Sequence, residues 1–243
     1  SITKMSVLHF AATAEYRNRI VQLGENPERV YNVGALGVEN IHTIQYLTKE
    51  ELEQEIGFQF CEPTAIVTFH PVTLEDKTAE EQFLSLLHAL DQFPALRLIF
   101  TKANADPDGR CINNLIDEYV QQKEDRCIAF YSMGQLKYLS ALQYCSFVIG
   151  NSSSGIIEVP SFGIPTIDIG DRQKGRVSAD SVLHCTPVTK DIAEKIEMVL
   201  KTDKAVVSNP YEQAGTSDKI VKYLKQYLDE GICLKKTFFE YRG

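Results

Sequence analysis

Gly150-Asn151-Ser152-Ser153-Ser154-Gly155 sets three hydroxyls between two glycines, directly after the apolar run Phe147-Val148-Ile149 and directly before Ile156-Ile157-Glu158. Those residue types at that spacing suit an anion. Glycine at a strand end lets a ligand approach the main chain. A short helix opening near Ser154 leaves its first N–H groups without intrahelical acceptors, and its dipole adds roughly half a positive charge there. Ser152 and Ser153 add hydroxyl donors, so the stretch reads as a phosphate cradle. The plain alternative is one serine capping a helix, but three serines between two glycines exceed what a cap needs. Glu158, about one turn on, has the wrong charge for phosphate and the right one for ribose, whose two hydroxyls one carboxylate can accept from together. Its alternative is a solvated helix glutamate.

Other candidates also follow apolar runs. His70 ends the run Ala65 to Phe69 and precedes Pro71. It can donate to a phosphate or sugar hydroxyl, or simply hold the turn. Asn104 and Asp106 sit in a polar loop after another run and can build an Asx turn. Asp106-Pro107-Asp108-Gly109 lacks calcium-loop spacing. In Asp171-Arg172-Gln173-Lys174-Gly175-Arg176, Arg172 can present a bidentate fork to a diphosphate, or the run can be a solvated face. Neither GxxxxGK[ST] nor GxGxxG occurs, which disfavours P-loop NTPases and dinucleotide dehydrogenases.

The elements that must position these residues alternate. Residues 7–11 and 29–33 read as strands, with Thr13 capping a helix that runs to about Leu23 and stops at Gly24. Gly34-Ala35-Leu36-Gly37 reads as a linker. Thr48-Lys49-Glu50-Glu51 and Thr78-Ala79-Glu80-Glu81 both fit capping boxes. Phe83, Leu87 and Leu90 share one helical face. Strands are expected over 65–69, 96–100, 126–130, 147–149 and 164–169. Helices are expected over 112–120, 135–144, 192–200 and 220–228. This alternation means repeated βαβ units and a mostly parallel sheet, whose ligands sit outside the carboxyl ends of the strands. The loops to watch are His70-Pro71, 104–109, 131–134 and 150–158.

With 243 residues, 44% hydrophobic and 24% charged, the chain suits one large or two small globular domains. A formal charge of −8 argues against broad nucleic-acid binding. The six cysteines form no CxxC pair and no Cys/His cluster, as expected of reduced, packed thiols in a cytoplasmic protein without bound metal. No apolar run is long enough to span a membrane, and no signal peptide is visible. The chain opens on Ser1, which reads as a removed segment or a piece of a longer protein.

The block GNSSSGIIEVPSFGIPTIDIGDRQKGR, with TFHPVT upstream, resembles the UDP-N-acetylglucosamine 2-epimerases, most closely their hydrolysing branch. HFAATAEYRNRIVQLGENPERVYNVGALGVENI is similar to the stretch leading out of that family's first domain, so the resemblance runs along essentially the whole chain. It implies an α/β fold with a Rossmann-like parallel sheet, the C-terminal half of a two-domain GT-B fold. Residues 1–38 would be the tail of the first domain, 39–208 the UDP-binding domain, and 209–243 a C-terminal helix packing back toward the first. It implies UDP-N-acetylglucosamine or UDP as ligand, no cofactor, no metal, no nucleic-acid or membrane partner, and a homodimer. By residue, it makes His70 the active-site histidine, places Asn104 near the sugar diphosphate, and puts Ser152 and Ser153 on phosphate. Glu158 falls on the ribose, Arg172 in the same pocket, and Ser132 near the uracil. The implied reaction eliminates UDP to a 2-acetamidoglucal and adds water to give N-acetylmannosamine for sialic-acid-type sugars. The family's acid/base carboxylates lie upstream of Ser1, so the chain by itself is expected to bind UDP without turnover. The alternatives are the non-hydrolysing branch, a GT-B glycosyltransferase, and a non-catalytic UDP-sugar-binding module.

Overall fold

The computed structural model describes residues 1–72, 78–103, 107–202, 206–231 and 233–240. They form two compact units, residues 1–43 with 209–243, and residues 44–208. In chain order the first unit contributes α1 (Ile2–Met5), β1 (His9–Ala11), α2 (Ala14–Gln22), β2 (Val30–Asn32) and α3 (Leu36–Thr43). The second holds α4 (Lys49–Ile56), β3 (Thr64–Thr68), α5 (Thr78–Leu90), β4 (Arg97–Thr101), α6 (Pro107–Gln122) and β5 (Cys127–Phe130). It continues with α7 (Gly134–Tyr144), β6 (Phe147–Gly150), α8 (Ser153–Ile157), β7 (Thr166–Ile169), β8 (Val182–Cys185) and α9 (Thr189–Val199). The chain then re-enters the first unit as α10 (Thr216–Glu230).

In the first unit β1 and β2 pair in parallel, with His9 opposite Val30. Thr13 caps α2 by accepting from the Tyr16 amide, and Gly24 turns the chain at φ 86°. Of the linker expected at Gly34 to Gly37, Gly34 and Ala35 are non-helical, while Leu36 and Gly37 open α3. Val38 and Ile41, three apart, are 1% and 6% exposed. Burying that face outweighs the helix cost of Gly37, roughly 1 kcal/mol relative to alanine. Thr216, at the start of α10, donates its hydroxyl to the Val33 carbonyl at 2.7 Å.

Glu25 is the electrostatic centre of this unit. Its side chain is 3% exposed, and its carboxylate meets Lys4 at 2.9 Å, His9 at 3.0 Å and Lys236 at 2.5 Å. Burial opposes ionisation, but the hydrogen bonds from Lys236, Lys4 and His9 outweigh it and bring the carboxyl from 4.5 down to about 2. A depressed carboxyl pKa stabilises the fold above the unfolded value and loses that contribution as pH falls through the folded value. The cluster therefore contributes of order 3 kcal/mol above pH ~4.5, fading toward pH ~2. In urea unfolding followed by circular dichroism, the stability gap between the unaltered chain and Glu25→Gln should shrink across that window. A gap that stays constant from pH 7 to 2 would contradict the assignment.

The second unit is a six-stranded, all-parallel sheet in the order β5-β4-β3-β6-β7-β8. Every residue of β3 is buried, as in a strand covered on both faces. Phe83, Leu87 and Leu90 of α5 are buried, and so are Ile192, Ile196 and Val199 of α9. Each such side chain contributes roughly 1.5–3 kcal/mol by leaving water. The capping box opening α4 forms as expected: Thr48 accepts from the Glu51 amide at 3.2 Å, and Glu51 accepts from the Thr48 amide at 2.9 Å. The box expected at Thr78 involves a side chain outside those described. The edge strand β8 was not anticipated. Its four residues include an exposed histidine, and so short a run carries too little period to read.

Topology decides where a ligand can sit. The chain steps outward from β3 to β4 and β5, then returns to pair β6 with the other flank of β3. Thr68 lies opposite Gly150 at the carboxyl ends of these two strands. The strand order reverses there, which makes it the topological switch point, the crevice where open α/β sheets bind ligands.

Candidate functional site

The serine loop and His70 meet at this switch point. β6 ends on Gly150, whose φ is 139°. A Cβ there would stand 1.8 Å from the Thr68 carbonyl oxygen, so only glycine lets the two strands lie this close. Asn151 follows, 1% exposed. Its Oδ1 accepts from the His70 amide at 2.7 Å, and its Nδ2 donates to the His70 carbonyl at 2.8 Å. Its own amide donates to the Thr68 carbonyl at 3.0 Å.

The three serines divide their work. Ser152 caps α8, its hydroxyl accepting from the Ser154 amide at 3.3 Å. The Ser154 hydroxyl pairs with that of Tyr138 at 2.8 Å. Among the described residues, neither the Ser153 hydroxyl nor the Ser152 and Ser153 amides have a protein partner. Two adjacent open N–H groups and one open hydroxyl remain, the donor set of an anion nest. α8 is only five residues long. Its macrodipole is that of about one turn, so these local donors outweigh the dipole expected from sequence. Gly155 lets α8 lie on β7: a Cβ would come 2.7 Å from Thr166 Cγ2, and the Thr166 hydroxyl donates to the Gly155 carbonyl at 2.8 Å.

Glu158 is half-buried and stands at the junction of α8 with a 3-10 turn, Val159–Phe162, rather than within one helix. Its amide donates to the Ser154 carbonyl at 2.9 Å. Arg172 follows β7 and donates Nη1 to the Asn151 carbonyl at 2.8 Å. Partial burial and the nearby charge of Arg176 lower its guanidinium pKa, while Asp168 opposes them. Being an arginine, it remains a cation at neutral pH. The Ser132 hydroxyl accepts from the Gly134 amide at 3.2 Å at the start of α7, off β5, the far strand on the other flank of β3. Asn104 lies outside the described residues.

Several residues here drew no attention as sequence. Asn151 was part of the serine loop, but nothing local shows that its carboxamide serves a residue 81 positions away. Gln173 is 3% exposed and donates Nε2 to the Asn151 carbonyl at 2.8 Å. Its Oε1 is buried without a partner. Burial, with the charge of Glu158 adding to it, holds the Tyr138 phenol above its usual range despite the Ser154 hydrogen bond. Asp168, 1% exposed, meets His184 Nδ1 at 2.8 Å. Burial raises its carboxyl pKa, partly offset by His184 and Arg172. A cavity of about 660 Å³ opens beside that pair, with Gln82, Gly170, Asp171, His184 and Asp191 on its walls. Burial pushes the Cys127 thiol up to about 11 and Cys185 to about 12, so neither is a thiolate nucleophile at neutral pH. No helix among the described residues is long and apolar enough to cross a membrane.

A family model described as UDP-N-acetylglucosamine 2-epimerase matches residues 1–225. The chain is 37% identical over 242 residues to the GDP/UDP-N,N'-diacetylbacillosamine 2-epimerase (hydrolyzing) of Campylobacter jejuni, covering 99% of this chain and 63% of that protein. It is also 37% identical over 246 residues to the polysialic acid biosynthesis protein P7 of Escherichia coli, covering 99% and 62%. Among solved structures, UDP-GlcNAc 2-epimerase from Neisseria meningitidis bound to UDP-GlcNAc matches with a TM-score of 0.75 and 18% identity, covering 92% of this chain and 62% of that one. That likeness is one of fold, the Rossmann-like parallel sheet of GT-B architecture. The chain thus spans about six tenths of the length of these two curated relatives.

Proposed function

The chain belongs to the UDP-N-acetylglucosamine 2-epimerase family, and from that premise we propose that it supplies the UDP-binding half of a hydrolysing epimerase. The reaction is UDP-N-acetylglucosamine plus water to N-acetylmannosamine plus UDP, serving sialic-acid-type sugar synthesis in the cytoplasm. One observation carries the reading. At the switch point the open Ser152 and Ser153 amides, Arg172 and His70 are all gathered around Asn151. Cationic and N–H donors so placed suit a diphosphate. The hydrolysing outcome and the sugar pathway draw support from the names of the two relatives at 37% identity.

In this reading a base removes the C2 proton, the C1–O bond breaks with its electron pair going to the β-phosphate, and a 2-acetamidoglucal forms. Water then adds its hydroxyl to C1 and a proton to the opposite face of C2. Ser152, Ser153 and Arg172 receive the leaving diphosphate, Glu158 accepts from the ribose hydroxyls, Ser132 lies toward the uracil, and Asn104 toward the sugar diphosphate. His70 donates at the sugar end. In this reading the proton-transfer carboxylates are those that the family resemblance places upstream of Ser1, and the 243 residues as they stand are expected to bind UDP and leave UDP-N-acetylglucosamine intact.

Calorimetric titration with UDP tests the grip. Turnover of the natural full-length protein in D₂O tests the chemistry. The expected products are UDP and free N-acetylmannosamine carrying deuterium at C2. A product still linked to UDP would replace the hydrolysing reading with the non-hydrolysing one, and a chain indifferent to UDP would remove the nucleotide reading altogether.

A further inference from the structure

Asn151 does two chemically separate jobs. Its carboxamide closes a ring of two hydrogen bonds, 2.7 and 2.8 Å, on the amide and carbonyl of His70. Its main-chain carbonyl takes Arg172 Nη1 and Gln173 Nε2, each at 2.8 Å. The His70 amide needs an acceptor and the His70 carbonyl needs a donor, and a side-chain amide offers both from one planar group, as an ionised carboxylate cannot. Asn151 is 1% exposed, so leaving either of its partners unpaired would carry a desolvation cost. The open amides of Ser152 and Ser153 are the next two along the chain. A shift of this loop on meeting an anion therefore reaches His70 through the two carboxamide bonds, and reaches Arg172 through the same residue's carbonyl.

We infer that Asn151 is a positioning residue that couples occupancy of the diphosphate cradle to the placement of His70, its ligand class being a nucleoside diphosphate. The inference rests on the nucleotide reading above and adds a role that neither the serine motif nor the family resemblance assigns. It predicts a division of labour. Losing the side chain removes the two bonds to the His70 main chain but leaves the main-chain grip on Arg172 in place.

The test follows the His70 backbone amide by NMR in the isotopically labelled chain as UDP is added. In the unaltered chain this resonance moves with UDP saturation. In Asn151→Ala the UDP response at His70 disappears, and in the natural full-length protein kcat falls about a hundredfold while the UDP Kd rises by no more than about tenfold. Asn151→Asp is read across pH: a protonated carboxyl restores both bonds, whereas an ionised one keeps the acceptor for the His70 amide but sets an oxygen against its carbonyl, so the response falls as the carboxyl ionises. Should Asn151→Ala fail to fold, the Asn151→Asp comparison decides: a response equal to that of the unaltered chain with the introduced carboxyl ionised overturns the coupling. So does a full His70 response in a folded Asn151→Ala, or UDP binding to the unaltered chain with His70 unmoved. Absence of UDP binding by the unaltered chain would overturn the nucleotide reading and this inference with it.

Discussion

Arg172→Ala in the natural full-length protein lowers kcat for UDP-N-acetylglucosamine by about 10²–10³-fold, the usual cost of removing one preorganised donor from developing negative charge. The expectation follows from where the guanidinium is held. One nitrogen, Nη1, donates to the Asn151 carbonyl at 2.8 Å, and Asn151 directly precedes the two open serine amides. The remaining N–H groups need no reorganisation when the C1–O bond breaks and charge collects on the β-phosphate. Arg172→Lys keeps the charge, but its three donors share one nitrogen and cannot present the planar fork that spans the carbonyl and the phosphate. It should recover less than about tenfold of the loss. Steady-state kinetics and UDP titration on both variants check this. A kcat for Arg172→Ala within threefold of the unaltered protein would remove Arg172 from the site.

Gly150→Ala is expected to cost at least about 4 kcal/mol, or to prevent folding of the 44–208 unit, because its strain has no outlet. The added Cβ would lie 1.8 Å from the Thr68 carbonyl oxygen and 2.6 Å from its carbon, both main-chain atoms of the central strand. Neither can rotate aside, and the residue must also hold a φ of 139° that alanine rarely adopts. β3 and β6 would have to part where the cradle begins. For a unit of this size the melting temperature falls by roughly 10 °C or more. Gly155→Ala is the control. Its new methyl meets Thr166 Cγ2 at 2.7 Å, a side-chain atom that can move at the expense of one hydrogen bond to the Gly155 carbonyl. A cost of about 1–3 kcal/mol is expected there. Calorimetric melting of the two variants should place Gly150→Ala well below Gly155→Ala, and equal melting points would refute the steric account.

Local backbone features were legible in short stretches. The Thr13 cap, the Thr48–Glu51 box and the stop at Gly24 all involve residues within a few positions of one another. Such contacts form wherever the chain goes, so residue type and spacing suffice to read them. The Glu158 expectation was less accurate, because the break between α8 and the 3-10 turn at Val159 depends on packing against β7 as well as on helix signals. α3 went unread for a related reason. Its two buried residues have value only once there is a core to bury them in.

By itself the sequence determined the alternation of strand and helix, the parallel sheet that follows from it, and a hydroxyl-rich loop at the end of an apolar strand. Those properties rest on periodicity and on bonds between near neighbours. The tertiary structure alone decided that β6 returns to the free flank of β3, that His70 and Asn151 close on each other across 81 residues, and that Ser154 is spent on Tyr138 while Ser153 stays open. Register between distant strands is set by the summed burial of many side chains and by the close approach that Gly150 permits. No local pattern encodes such a sum.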